Sequence, residues 1–197
     1  MKRVVVFLLI VGSVFSCVDR EVKVPRIALN GAEKVADHSV IWMFRNDDGT
    51  LDLNEKNRIS STHWFFNIDK KLSLNEMLPE VKRLVIKHNT KSPHNTKKMN
   101  NYFTYVNSLN DHLSFYQFDS IVYKEVKENN LPQFLNDTIL VTINSIDFKL
   151  PEIPKNKKVQ MAFNSVISFQ NYLEVKALII NRVGEKNIAK VEYIITE

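Results

Sequence analysis

The chain has 197 residues, 44% hydrophobic and 25% charged, the balance of a folded globular protein rather than a disordered one. Its 27 basic and 22 acidic residues give a net charge of +5, which drops to +3 if Lys2 and Arg3 leave with a leader; that surplus is too mild to argue for nucleic acid. The single cysteine, Cys17, excludes an internal disulfide, and the four glycines (Gly12, Gly31, Gly49, Gly184) are too scattered to build a phosphate-cradling loop of backbone N–H groups.

In chain order, Lys2 and Arg3 make a positive start, and Val4 to Phe15 is an apolar run. The run is too short for a helix that crosses a bilayer, which needs about 20 residues. It ends in Val14-Phe15-Ser16-Cys17. A small residue directly before a cysteine, at this distance from the start, resembles the lipobox of bacterial lipoproteins. The resemblance implies cleavage between Ser16 and Cys17 and acylation of the Cys17 thiol. It therefore implies a place in the cell envelope, extracytoplasmic and held by lipid to the outer or the inner membrane. Residues 1–16 are expected to be the signal peptide. Residues 17–37 are expected to be the lipidated cysteine and a flexible tether, because they mix charges with Pro25 and Gly31 and hold no hydrophobic period.

From His38 the pattern becomes that of a fold. Val40, Trp42 and Phe44 alternate with Ile41, Met43 and Arg45, and Trp64, Phe66 and Ile68 alternate with His63, Phe65 and Asn67. Aromatic and β-branched residues at period two predict two strands, with a turn at Asn46-Asp47-Asp48-Gly49 between them. Leu74, Met77, Leu78, Val81, Leu84 and Val85 have helical spacing, and Ser73 with Glu76 fits a capping box. Pro79 predicts a kink, or a helix that begins only near Leu78. Residues 87–101 read as a basic loop. Strands are expected at 102–106, 113–118 and 120–126, and a hairpin at 138–143 and 146–150 about Asn144-Ser145. A second helix is expected from a Ser168 cap to about Arg182, with Gly184 behind it and a last strand over 191–196.

Phe66-Asn67 before LSLNEMLPEVKRLVI looks like Phe163-Asn164 before ISFQNYLEVKALII, with Ser73 matching Ser168 and Glu80-Val81-Lys82 matching Glu174-Val175-Lys176 if Pro79 is an insertion. These matches suggest two strand–strand–helix–strand repeats, although short gapped matches also arise by chance. The expected fold is α+β, a mostly antiparallel sheet with two helices. Residues 38–130 form a first unit and 131–197 a second, sharing one core.

Over residues 138–197, TILVTINSIDFKL, then YLEVKALII, then IAKVEYIIT resembles the periplasmic domain of ExbD-type biopolymer-transport proteins, which work with ExbB and TonB. An apolar 20-mer with an acidic residue, which couples protons in that family, is absent from the sequence, so the resemblance implies a folded interaction module and not a motor. The lipidated start and the many Asn and Lys residues resemble envelope lipoproteins of the Bacteroidota type. Asp119-Ser120-Ile121 and Asp137-Thr138-Ile139 resemble the short O-glycosylation sites of that group, but plain strand-entry sequence is the stronger reading of such short patterns.

No motif fixes a reaction. Asn46, Asp48, Asp52 and Glu55 fall at calcium-loop positions, but Phe44 stands where the first carboxylate belongs, so a solvated turn is the stronger reading. His38, His63, His88, His94 and His112 lack the spacing of a zinc site. Asp37-His38-Ser39 are contiguous, and neighbouring strand residues point to opposite faces, which excludes a triad. The cluster Trp42, Phe44, Trp64, Phe65 and Phe66 reads either as a core or as the lining of a ligand pocket. The expected function is a non-catalytic envelope lipoprotein without a cofactor, bound to the membrane through Cys17. It would act as a binding or protein-interaction module, accessory to ExbD/TonB-type transport. A lipid-anchored small-ligand carrier and a hydrolase are the alternatives.

Overall fold

A computed structural model describes residues 22–56, 58–90, 99–133, 137–145, 148–154 and 157–196. Ser16, Cys17 and His94 lie outside the described residues. The first sheet is centred on β2 (His38–Arg45), β4 (His63–Ile68) and β5 (Asn101–Asn107), which run parallel to one another. The short β3 (Leu51–Asn54) pairs antiparallel with β2, and β6 (Leu113–Gln117) antiparallel with β5. The two-residue β1 (Arg26–Ile27) lies parallel to the far end of β5, at Val106 and Asn107. The second sheet runs in the order β7 (Val122–Lys127), β10 (Ile188–Thr196), β9 (Lys158–Asn164), β8 (Thr138–Ile143), and every pairing in it is parallel. Helix α1 (Leu74–Asn89) connects β4 to β5, and α2 (Phe169–Val183) connects β9 to β10.

The α+β class and the two helices stand, but the mostly antiparallel sheet is corrected. Six of the eight strand pairings among the described residues are parallel. The cause is connectivity: a strand reached through a crossover helix returns in the same direction as the one before it. The hairpin about Asn144-Ser145 does not form, because β8 takes β9 as its neighbour and residues 148–150 carry no strand. β9 itself escaped the alternation test. Val159 to Phe163 are all buried, the polar Gln160 among them, so no exposed position marks an outer face.

The supposed tether is shorter than expected. From Val22 onward the described chain is built into the domain. The N–H of Val106 donates to Pro25 O at 2.8 Å, Ile27 and Leu29 are buried, and Ala32 bridges Phe115. Gly31 passes so close to Tyr105 that a Cβ there would collide with its hydroxyl and lie 2.8 Å from the carbonyl of Phe115. The Tyr105 hydroxyl donates to Leu29 O at 2.9 Å, which fastens the same strap.

Helix α1 starts at Leu74 and continues through Pro79, so the expected later start near Leu78 is also corrected. Pro79 deletes one N–H, which in an interior costs about 3 kcal/mol. The first turn is held regardless, because the Ser73 N–H donates to the Glu76 carboxylate at 2.9 Å, and Arg45 pairs with the same carboxylate. Below the two helices lies one hydrophobic cluster that takes Ile41, Phe66 and Leu78 from one half and Val159, Tyr172 and Ile194 from the other. Each large apolar side chain fully buried there contributes about 1.5–3 kcal/mol.

The two helix starts face each other. The N–H of Leu74 donates to Ile167 O (3.0 Å) and that of Phe169 to Leu72 O (2.6 Å), flanking an antiparallel bridge between Ser73 and Ser168. Outside them, Asn75 N–H donates to Ser165 O (2.8 Å) and Gln170 N–H to Lys70 O (3.0 Å). Each turn is also closed internally in the same way. Asp69 Oδ1 accepts from Lys71 N–H at 2.8 Å, and Asn164 Oδ1 from Val166 N–H at 3.1 Å. The bonding therefore matches Asp69 with Asn164, where the sequence comparison had aligned Phe66-Asn67 with Phe163-Asn164.

Candidate functional site

Two places collect chemistry-bearing side chains, and they differ in whether those groups have anything left to offer. The first lies between α2, β10, β7 and β6. Tyr172 and Lys176 stand one helical turn apart and face Glu192 on β10. Lys176 Nζ donates to Glu192 Oε1 and, at 3.0 Å, to the Tyr172 hydroxyl. That hydroxyl donates to Glu192 Oε2 at 2.8 Å and lies 3.1 Å from the hydroxyl of Tyr123. The Tyr116 ring covers the ammonium group, with its centroid 5.1 Å away. Lys176 and Glu192 are 2% and 1% exposed. Burial pulls the Lys176 pKa below its ordinary value, and the neighbouring Glu192 carboxylate opposes that pull. Burial and the same carboxylate push the Tyr123 and Tyr172 phenols well up. A groove of about 440 Å³ adjoins the cluster, with Lys176 and Glu192 in its wall beside Tyr116, Ser120, Glu185 and Lys190. The buried groups are spent on one another: both Glu192 oxygens and the Tyr172 hydroxyl are bonded within the cluster. The arrangement is a strut between helix and sheet.

The second place is the face of the first sheet turned away from α1. Strand register decides it. Ile41 and Met43 on β2, with Trp64, Phe66 and Ile68 on β4, enter the core. Trp42 and Phe44 emerge on the opposite face. Trp42 stands directly between Asn54 on β3 and Asn67 on β4, and Phe44 stands opposite Asp52 on β3. An indole flanked by two amides and a phenyl ring flanked by a carboxylate thus share one surface. Trp42 is 37% exposed. Trp42, Phe44, Asp52 and Asn54 line an open groove of about 390 Å³ with Val22, Leu53 and Lys56, within the ~300–1,000 Å³ range of small-ligand sites, and Asn67 stands beside it as the β4 neighbour of Trp42. The side chains of Trp42, Asp52 and Asn67 make no hydrogen bond to a described residue. Asn54 accepts one long bond, 3.4 Å, from Lys56 N–H. Donors and acceptors here remain available.

The aromatic cluster read from the sequence is therefore divided by the sheet. Trp64 and Phe66 are core. Trp64 stacks on His88 at 4.0 Å and donates its indole N–H to Ile59 O at 2.9 Å. Phe65 lies on the outer face but is covered by His38 and Phe115, stacked at 4.3 and 4.1 Å. Only Trp42 and Phe44 reach the groove. The calcium-loop residues do not converge. Asp48 is turned onto Thr50, accepting from its N–H at 2.9 Å and its hydroxyl at 2.6 Å. Glu55 pairs with Arg58 and Arg83, and Asp52 joins the groove instead. Among the described residues no group of three or more His, Cys, Asp or Glu is placed to hold a metal ion. His88 bonds Asn101 Oδ1 (2.8 Å) and Thr62 O (3.0 Å), His63 accepts from Asn100 N–H (3.0 Å), and His38 lies 3.1 Å from Val35 O, so these three histidines serve the fold.

Sequence reasoning missed Lys176 and Glu192. A signal existed: Lys176 lies between Leu173, Val175, Ala177 and Ile179 in a helix apolar nearly all round, so little of its surface is left for water. No family model, no curated protein and no solved structure matches the chain. No described helix is long and apolar enough to cross a membrane.

Proposed function

We propose that the chain is a lipid-anchored envelope protein whose folded domain is a non-catalytic binding module, with the groove between β2 and β3 as its binding surface. The observation that supports the reading is Trp42, left exposed on a sheet face between two amides, in a groove whose polar groups are unspent. The buried Lys176–Glu192–Tyr172 cluster satisfies itself, so catalysis has no comparable support. A part accessory to ExbD/TonB-type transport extends the same proposal through the resemblance of residues 138–197, whose described strands and helix form the sequence β8, β9, α2, β10.

Growth with radiolabelled palmitate tests the anchor. Label is expected on the wild-type chain and lost in Cys17→Ser, which should leave the membrane fraction. A wild-type chain without label, or a variant that stays equally membrane-bound, overturns the anchor. Crosslinking in intact envelopes tests the transport role, which fails if no motor subunit is recovered.

A further inference from the structure

We infer that the groove between β2 and β3 binds a sugar ring, and that the sugar is the headgroup of a glycolipid in the membrane to which the chain is anchored. The inference rests on the lipid-anchored reading above and names that site's ligand.

The chemistry of the groove points to a pyranose. Such a ring carries a face of C–H groups and a rim of hydroxyls. The C–H face is weakly positive and suits the electron-rich face of an indole or phenyl ring. The rim needs donors and acceptors beside the aromatic ring rather than above it. Trp42 has Asn54 and Asn67 at its two sides and Phe44 has Asp52, each set there by strand register. An amide both donates and accepts, and a carboxylate accepts from two hydroxyls at once. Phosphate-rich ligands fit less well, because Asp52 would repel them and Lys56 is the single cation among the described residues that line the groove. A peptide strand would add to the outer edge of β3, which ends the sheet, and would leave the aromatic side-chain face of the groove unused.

Distance supplies the source of the sugar. Val22 lines the groove, and Cys17 stands five residues before it. Five extended residues span at most about 18 Å. With residues 22–32 fixed into the sheet, no longer tether is available to lift the domain away. A lipidated Cys17 therefore holds the groove within reach of the headgroup layer, where the sugar of a glycolipid stands.

Trp64 is 2% exposed and Trp42 37%, so acrylamide quenching of tryptophan fluorescence reports the groove. The full lipidated chain is placed in phosphatidylethanolamine vesicles with and without monoglucosyl diacylglycerol. Glucosyl lipid is expected to reduce quenching several-fold. The exposed-strand variants Asp52→Ala and Asn54→Ala, checked for an unchanged circular dichroism spectrum, are expected to need about tenfold more glucosyl lipid for the same protection. Equal protection by phosphatidylglycerol vesicles would overturn the sugar in favour of an anionic surface. Equal protection by soluble maltopentaose at matched sugar concentration would overturn the membrane source. No protection from either sugar on a chain that carries palmitate overturns the ligand class while the anchor stands. A chain without palmitate overturns the membrane source, and maltopentaose then decides the sugar alone.

Discussion

The two halves of this domain solve one packing problem with different chemistry. In each, a helix joins two parallel strands and begins at a serine next to the other's serine. The face that α1 buries is apolar, with Leu74, Met77, Leu78, Val81 and Leu84, and its only buried polar residue is His88 in the last turn. There His88 meets Asn101, whose backbone and side-chain N–H groups donate to Asp119 at 2.8 and 2.7 Å. In α2 the polar group stands mid-helix, as the Lys176–Glu192 pair under two tyrosines. The first half ends its helix on a neutral amide; the second runs a charge through the middle. A polar network at an edge can be rescued by water when broken, and one in the middle cannot.

That difference sets the largest expected effect. Glu192→Gln leaves the Lys176 ammonium without its counter-charge and should cost about 3–5 kcal/mol, whereas Asn101→Ala in the first half should cost about 1–3 kcal/mol. Urea unfolding measures both. The double change Lys176→Met with Glu192→Leu should recover most of the loss, since a well-packed apolar pair of similar volume replaces a buried ion pair at little cost. If the double variant is as unstable as Glu192→Gln, the strut contributes more than the pairing of two charges.

Gly31→Ala comes next, at about 1–3 kcal/mol, because its methyl group must displace Tyr105 or the carbonyl of Phe115. The strap it lies on also touches the second half, where Gln170 Nε2 donates to Arg26 O and Asn181 to Ala28 O. The loss should therefore appear equally in probes of either half, and a loss confined to the first half would separate them. The helix caps give a smaller and more direct test. Ser168 Oγ accepts from Asn171 N–H at 3.2 Å, so Ser168→Ala should cost about 1 kcal/mol. Ser73→Ala should cost less, because the Glu76 carboxylate still receives the backbone N–H of residue 73.

The smallest change belongs to alkaline pH. Burial raises the Tyr105 phenol from 10.0 to about 12, and Tyr123 and Tyr172 in the second half are raised as well. A raised phenol binds its proton more tightly folded than unfolded. Its stabilisation is complete below pH 10 and is lost as pH rises through the folded value. Unfolding midpoints should fall as pH rises from about 10 to about 12. Tyr105→Phe should flatten part of that slope and leave the share of the phenols around Glu192; an unchanged slope would assign it all to Tyr116, Tyr123 and Tyr172, each raised by burial.

Local signals in the sequence were enough for β2, β4, α1 and α2. Their periods are clear, and Ser73 and Ser168 mark the helix starts where the backbone has them. Direction was harder, because alternation says which residues share a face and not which way the neighbouring strand runs. β1 has two residues and no period of its own. The groove was half visible. Trp42 and Phe44 stood out as aromatic, but their separation from Trp64 and Phe66 depends on which face meets α1. Asp52, Asn54 and Asn67 join them only through pairings across three strands. Asp52 drew notice for a calcium loop, since spacing along one segment is all that a sequence displays directly.

The reciprocal bonds between the two turns reach further than local support. Leu74 and Phe169, the first residues of the two helices, find their backbone acceptors in the opposite half of the chain. Either half made alone would therefore start its helix with donors facing water, and would gain its final form only on meeting its complement. The whole polypeptide should accordingly melt in a single transition, and two fragments cut between β6 and β7, which leaves each sheet whole, should be inert apart yet reassemble when mixed.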